Sequence, residues 1–232
     1  PIVNQIESLT TRGGKRTRAF LCWLGFHAVK ESEIPMDLLN AMMALELFQS
    51  FALIHDDIID EDTVRRGGPT VHVQLGVPMA ILAGDLALVW ADELMGKAGG
   101  EMNIYTQMKQ EVIFGQSLDV LAAAGLPSAD RETINHYKTA WYSVIRPLQI
   151  GACLGGANTD TIESFVPYGL TVGAAYQLRD DVLDGVISEE TFRTQAAKHK
   201  KQAVQAGQAI HAPVRIVSLL DDFARFALTR LS

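Results

Sequence analysis

The stretch Ala41-Met42-Met43-Ala44-Leu45-Glu46-Leu47-Phe48-Gln49-Ser50-Phe51-Ala52-Leu53-Ile54-His55-Asp56-Asp57-Ile58-Ile59-Asp60 contains neither proline nor glycine. It is rich in Ala, Met and Leu, which favour helices, and it predicts one long helix over 38–60. Residues four apart on a helix share a face, so Asp56 sits over Asp60, with Gln49 on the same side. Carboxylates stacked in this way repel each other, and an apolar helix offers nothing to offset that. A bound cation would.

The pattern D-D-x-x-D returns as Asp180-Asp181-Val182-Leu183-Asp184. There Gln177, Asp180, Asp181 and Asp184 fall at i, i+3, i+4 and i+7, a polar stripe on an apolar helix predicted from about Tyr168 to Leu183. One acidic run reads as a solvated helix face. Two runs in apolar surroundings read as facing stripes that hold metal across a pocket. Carboxylate oxygens suit magnesium, which keeps several waters and bridges carboxylates to phosphates. No Cys/His cluster accompanies them to indicate zinc. Asp221-Asp222 lacks a third aspartate and reads as ordinary surface.

The rest of the chain is helical in pattern too. Pro78 opens a helix to about Lys97, which Gly99-Gly100 ends. A third helix covers 101–124, and Asp130 is an N-cap candidate for a fourth that passes Thr139. Pro167 punctuates the next apolar stretch, 191–208 is polar, and 211–231 is amphipathic. No period-two alternation or Asn-Gly hairpin signal occurs, so the fold expected is all-α, one domain over 1–232. Hydrophobic residues make up 48% and charged residues 20%, a globular balance. A net charge of −7 argues against nucleic acid as a partner. Cys22 and Cys153 have apolar neighbours and read as reduced thiols of a cytoplasmic protein. No signal peptide or membrane-spanning run is read in the pattern. The start at Pro1 implies an incomplete N-terminus.

Two basic clusters accompany the aspartates: Gly13-Gly14-Lys15-Arg16-Thr17-Arg18, read as the start of ordered structure, and Arg65-Arg66-Gly67-Gly68. Arginine grips phosphate through a planar fork, lysine as a point charge, and glycine admits close backbone approach. Lys138-Thr139 adds a lysine and a hydroxyl to an otherwise apolar stretch.

Taken in order, Gly13 to Arg18, Leu53 to Asp62, Arg65 to His72, Gly84-Asp85, Gly115-Gln116, Lys138-Thr139 and Gln177 to Asp184 resemble the motifs of the trans-isoprenyl diphosphate synthases, or polyprenyl synthetases. The resemblance covers roughly the first four-fifths of the chain. It implies an isoprenoid-synthase-type helical bundle around a deep central cavity, in a homodimer. It also implies condensation of isopentenyl diphosphate with an allylic diphosphate, assisted by three magnesium ions. On that pattern Asp56, Asp60 and Asp180 bind metal, with Asp57, Asp181 and Asp184 in support. Arg65, Lys138, Thr139 and Gln177 match residues that hold the allylic diphosphate, and Lys15, Arg18, Gln49 and Arg66 those that hold isopentenyl diphosphate.

Product length should depend on the residues below Asp56. Phe51 lies about 7.5 Å down the helix at about 1.5 Å per residue, Phe48 lies a turn further, and Ala52 leaves room beside them. An aromatic residue five before the motif resembles the geranylgeranyl (C20) type, with farnesyl (C15) as the alternative. Terpene cyclases and non-catalytic regulatory subunits are the other readings; the intact second motif and the Lys15, Arg18 and Arg66 cluster favour a synthase. One departure stands out. The family's glycine-lysine segment after the second motif has no counterpart in Gly185 to Glu190, so residues are expected to be missing between Asp184 and Thr191.

Overall fold

The computed structural model describes residues 1–99, 102–183, 185 and 187–229, with the backbone alone at 180, 181 and 183. Contacts group the chain into two compact units, 1–20 with 34–100, and 21–33 with 101–232. Apart from a two-stranded ribbon, the regular structure among the described residues is helical, as the composition of the long apolar stretches predicts.

The first unit holds α1 (Ile2–Thr11), the first residues of α2 (Thr17–Val29), α3 (Met36–Ile59), β1 (Val64–Arg65), β2 (Gly68–Pro69), α4 (Val71–Leu75) and α5 (Val77–Ala98). Helical structure starts at Ile2, well before Gly13, because Ile6 and Leu9 give α1 a buried face. α3 is the core helix of this unit, with nine residues buried, and α5 is its main neighbour. Ala80, Ala83, Ala87 and Ala91 form a buried small-residue stripe on α5 that lets another backbone come near. By length and composition alone α3 could cross a bilayer, which the sequence pattern did not reveal. Its burial marks it as a core helix here.

β1 and β2 form a two-residue hairpin with Val64 opposite Pro69. Its turn residues Arg66 and Gly67 both have positive φ, as a type I′ turn requires. No hairpin signal is visible in the sequence here because arginine seldom takes this conformation. Arg66 Nη1 holds it there by donating to the Leu9 carbonyl at 2.7 Å.

The second unit continues α2 from Leu21 and adds α6 (Met102–Ala123), α7 (Arg131–Asn135), a π-helix over His136–Ile145, α8 (Arg146–Gly155), α9 (Thr159–Leu183), α10 (Glu189–Ala209) and α11 (Val214–Thr229). Asp130 caps α7 as expected, accepting from the Thr133 amide at 2.7 Å. Pro167 does not start a helix; it lies inside α9, which runs unbroken through it. The π-helix is invisible to a 3.6-residue pattern. It packs against α9, where a Cβ on Gly173 would lie 2.8 Å from the Ala140 Cα. At its end Arg146 is nearly buried, bonded to Glu111 at 2.9 and 2.5 Å and to Gln149 at 2.8 Å. Asp222 is exposed as expected, but Asp221 is not ordinary surface. Its Oδ1 is closed to solvent, and burial lifts its pKa.

Candidate active site

Asp56, Asp57 and Asp60 end α3 in three different environments. Asp56 is half-buried and Asp60 exposed, one turn apart on one face of the helix, with Gln49 and Ala52 below on that side. Asp57 points the other way and is 1% exposed. Its Oδ1 accepts from Arg65 Nε at 2.6 Å, while its Oδ2 is buried with no hydrogen-bond partner. Burial raises the pKa of Asp57, and the hydrogen bond and charge of Arg65 pull it back. Arg65 Nη2 donates to Asp62 Oδ2 at 2.5 Å. The guanidinium is therefore clamped between two carboxylates, a short charge-assisted geometry.

The glycine-rich segment before α2 and the hairpin are tied together by arginines. Arg12 Nη2 donates to the Arg65 carbonyl at 3.1 Å and lies where a side chain on Gly68 would otherwise sit. Arg66 covers Gly14, whose Cβ would meet its Cζ at 3.0 Å. Arg16, also at positive φ, donates to Glu46 at 2.9 Å and to the Gly13 carbonyl at 2.7 Å. Arg66 is half-buried; burial, then the charge of Arg16, with Arg18 and Arg65 contributing, lowers its pKa against the pull of Glu46. Lys15 is exposed and Arg18 half-buried. So many cations held by backbone carbonyls and few acids form a site that an anion would relieve.

Glu46 and Arg12 escaped the sequence reading, and Arg16 and Asp62 entered it only as members of their motifs. Glu46 was the one findable signal, a lone acid in an apolar helix; Asp62 sits in an acidic run that hides its role. The match at Gly84-Asp85 also gains a cause. The His55 ring lies on Gly84, with Nε2 3.3 Å from the Ile81 carbonyl and 3.7 Å from Asp85. Phe51 is 9% exposed, its ring 5.2 Å from Phe48 and 4.8 Å from His55; Phe48 is fully buried behind it.

In the second unit, Lys138 and Thr139 lie on the π-helix, a feature that often re-aims side chains at functional sites. They line a cavity of about 370 Å³ with Gln177, Asp119, Arg131 and Asn135. Lys138 Nζ donates to Asp119 at 2.5 Å. Gly115 makes this approach feasible, since a Cβ there would lie 2.8 Å from the Tyr137 Cβ and 3.0 Å from the Lys138 Cγ. Asp180 and Asp181 are in the last turn of α9, but their side chains, and Asp184 entirely, lie outside the described residues.

The all-oxygen donor set of Asp56 and Asp60 fits magnesium. No group of three His, Cys, Asp or Glu among the described residues is poised on one ion. Magnesium needs no larger protein cluster than that pair, since it is usually held by one or two carboxylates and keeps several waters.

The aspartates that end α3 and the fixed arginines of the hairpin stand on an all-helical scaffold, as the motifs in the sequence led one to expect. The chain belongs to the polyprenyl synthetase family, whose profile matches residues 1–211. It is 36% identical over 193 residues to a short chain isoprenyl diphosphate synthase of Methanothermobacter thermautotrophicus, covering 80% of this chain and 59% of that protein. It is also 36% identical over 199 residues to a geranylgeranyl diphosphate synthase of Methanosarcina mazei, covering 79% and 59%. The chain thus spans about six-tenths of the length of these curated relatives. Its fold matches the crystal structure of a geranylgeranyl pyrophosphate synthase from Corynebacterium glutamicum, complexed with isoprenyl diphosphate and magnesium. The TM-score is 0.88 at 27% identity, over 99% of this chain and 90% of that one.

Proposed function

We propose that residues 1–232 form a prenyltransferase domain that joins isopentenyl diphosphate to an allylic diphosphate with magnesium, giving geranylgeranyl diphosphate (C20). The observation that carries this reading is Arg65 fixed between Asp57 and Asp62, with Arg66 held next to it, just after the helix end that carries Asp56 and Asp60. Asp56, Asp60 and Asp180 hold the metal, which when bound neutralises charge on the departing diphosphate. Arg65, held by Asp57 and Asp62, needs no reorientation to meet an oxygen of that leaving group, and such preorganised charge is worth most at the moment of ionisation. Lys138, Thr139 and Gln177 bind the same diphosphate. Lys15, Arg18, Gln49 and Arg66 position the second substrate and so replace a bimolecular encounter with a fixed approach. Asp181 and Asp184 support the second motif. Apolar walls keep water from the allylic cation.

The protein acts as a cytoplasmic homodimer. Exposed Ile81, Leu82 and Val89 on α5, and exposed Ile113, Phe114 and Val120 on α6, are the apolar surfaces available for the second copy. Incubating purified protein with labelled isopentenyl diphosphate and allylic primers, with and without magnesium, tests the reading. Magnesium-dependent chain extension supports it. A hydrocarbon formed from the primer alone would identify a terpene cyclase, and no product with any primer a non-catalytic subunit.

Phe51 ends the product channel on this reading, Phe48 buttresses it and Ala52 leaves space alongside. Phe51→Ala should lengthen the product by one or more five-carbon units, read by chromatography of the dephosphorylated alcohols. Removing a buried ring costs about 3–5 kcal/mol, so Phe51→Leu serves as the milder companion. Unchanged products from both variants would remove Phe51 from the role.

A further inference from the structure

A π-helix of ten residues needs a tertiary reason, because this winding seldom persists beyond a single turn. Arg146, the residue that ends it, supplies one. Its amide closes the last wide turn by donating to the Trp141 carbonyl, and Pro147, next in the chain, has no N–H to carry the ladder on. Its guanidinium lies over the Trp141 ring, 4.5 Å from the centroid. Nε and Nη2 both donate to Glu111 of α6. Nη1 donates to Gln149, whose amide in turn donates to the Ile162 carbonyl on α9. One nearly buried side chain thus ties the end of the π-helix to α6, α8 and α9.

The start of the π-helix meets the same helix α6. Asp119 holds Lys138 Nζ, and Gly115 gives Tyr137 and Lys138 room to lie against α6. Asp119 and Glu111 stand about two turns apart on α6, roughly 12 Å at about 1.5 Å per residue. The π-helix is therefore pinned near both ends to one rigid strut. With the Arg146 end released, its residues are free to take the ordinary 3.6-residue winding. Each residue of slippage then turns a side chain by about 100° around the axis. That carries Lys138 away from Asp119 and from the cavity it lines with Thr139 and Gln177. Burying a charged pair contributes little net stability, and its best-attested use is to fix register.

We propose that the Arg146–Glu111 pair is a positioning device, which holds the π winding of His136–Ile145 and so aims Lys138 at a bound diphosphate. Neither member of the pair lines the cavity that holds Lys138, so both act through that lysine. That the ligand is an allylic diphosphate rests on the prenyltransferase reading; the hold on the winding does not.

Glu111→Gln tests it, since glutamine keeps the shape and an acceptor but removes the charge. Calorimetric titration of the full chain, in magnesium, with a non-ionising allylic thiodiphosphate should show affinity weakened about fivefold or more. Loss of a negative charge by itself favours an anion, so weaker binding reports geometry and not charge. In a Lys138→Ala background the same substitution should change the affinity less than about twofold. A second readout needs no ligand. Relative to exposed Lys200, Lys138 of Glu111→Gln should react about threefold or more faster with an amine-acylating reagent than in the wild-type chain, read by peptide mass spectrometry. Trp141→Leu removes the ring under Arg146 but leaves the ion pair; it should shift both readouts the same way by about twofold, and it decides if a thermal melt shows that Glu111→Gln does not fold. Equal losses of affinity with and without Lys138, or an unchanged acylation rate in a folded variant, overturn the device. A wild-type chain that does not bind the thiodiphosphate sinks the prenyltransferase reading, and the acylation rates then decide the hold on the π-helix alone.

Discussion

Gly151→Val should cost the protein about 3 kcal/mol or more of stability and lower its melting temperature by about 6–12 °C. The backbones of α8 and α2 touch at this position. A Cβ on Gly151 would overlap the Cys22 carbonyl oxygen and come within 2.8 Å of the Phe26 amide nitrogen. Gly155, one turn on, would meet the Phe26 carbonyl oxygen at 3.0 Å. Gly25 on α2 makes the reciprocal contact, its Cβ 2.8 Å from the Leu148 carbonyl carbon. These neighbours are backbone atoms inside helices and cannot swing aside as a side chain could. Valine must therefore part the two helices along a contact with no slack. Gly96→Ala on α5 is the control. Nothing lies within 4 Å of its Cβ position, so there alanine should stabilise by about 0.5–1 kcal/mol through a smaller entropy cost of forming the helix. Urea unfolding of both variants measures the contrast. Equal effects would mean that the α2–α8 contact is not tight.

These glycines show where the sequence is readable and where it is not. The long apolar stretches announce their helices because one residue's propensity adds to the next, and 38–60 and 78–97 appear as α3 and α5 within two residues at each end. The spacing of Asp56 and Asp60 fixes a shared face for the same local reason. The need for Gly151 and Gly155, by contrast, has no local sign, because their partner is a helix more than 120 positions away. The Arg66–Gly67 turn is hidden similarly, since what stabilises an arginine at positive φ is the Leu9 carbonyl, 57 residues earlier. The π-helix needs an extra residue per turn that no periodicity predicts, although it decides where Lys138 and Thr139 point. Asp57 is the sharpest case. As the middle of an acidic run it reads like its neighbours, yet α3 turns it into the interior, and Arg65 arrives from a hairpin that the sequence did not disclose.

That difference separates the roles of the three upstream aspartates. Asp57→Asn keeps the shape of the side chain but removes the charge that clamps Arg65 Nε. Arg65 then keeps Asp62, which is nearly half exposed and too well solvated to orient it alone. On the prenyltransferase reading, kcat/KM for the allylic substrate should fall about 100-fold, close to 2.7 kcal/mol of transition-state stabilisation. The magnesium concentration for half-maximal rate should stay put, because Asp56 and Asp60 are untouched. Arg65→Lys should lose a similar amount, since an ammonium cannot reach both carboxylates with a planar fork. The double variant should be little worse than either single one, as expected of residues that act as a unit. Additive losses, or a magnesium requirement that rises in Asp57→Asn with the allylic KM unchanged, would instead make Asp57 a metal ligand. Asn is also the more telling substitution for stability. Burial already lifts the pKa of Asp57, so removing its charge relieves a desolvated carboxylate as well as breaking an ion pair. The fold should therefore tolerate Asn far better than catalysis does, and a melting temperature near that of the wild type beside a 100-fold slower enzyme is the signature of a residue that works through its neighbour.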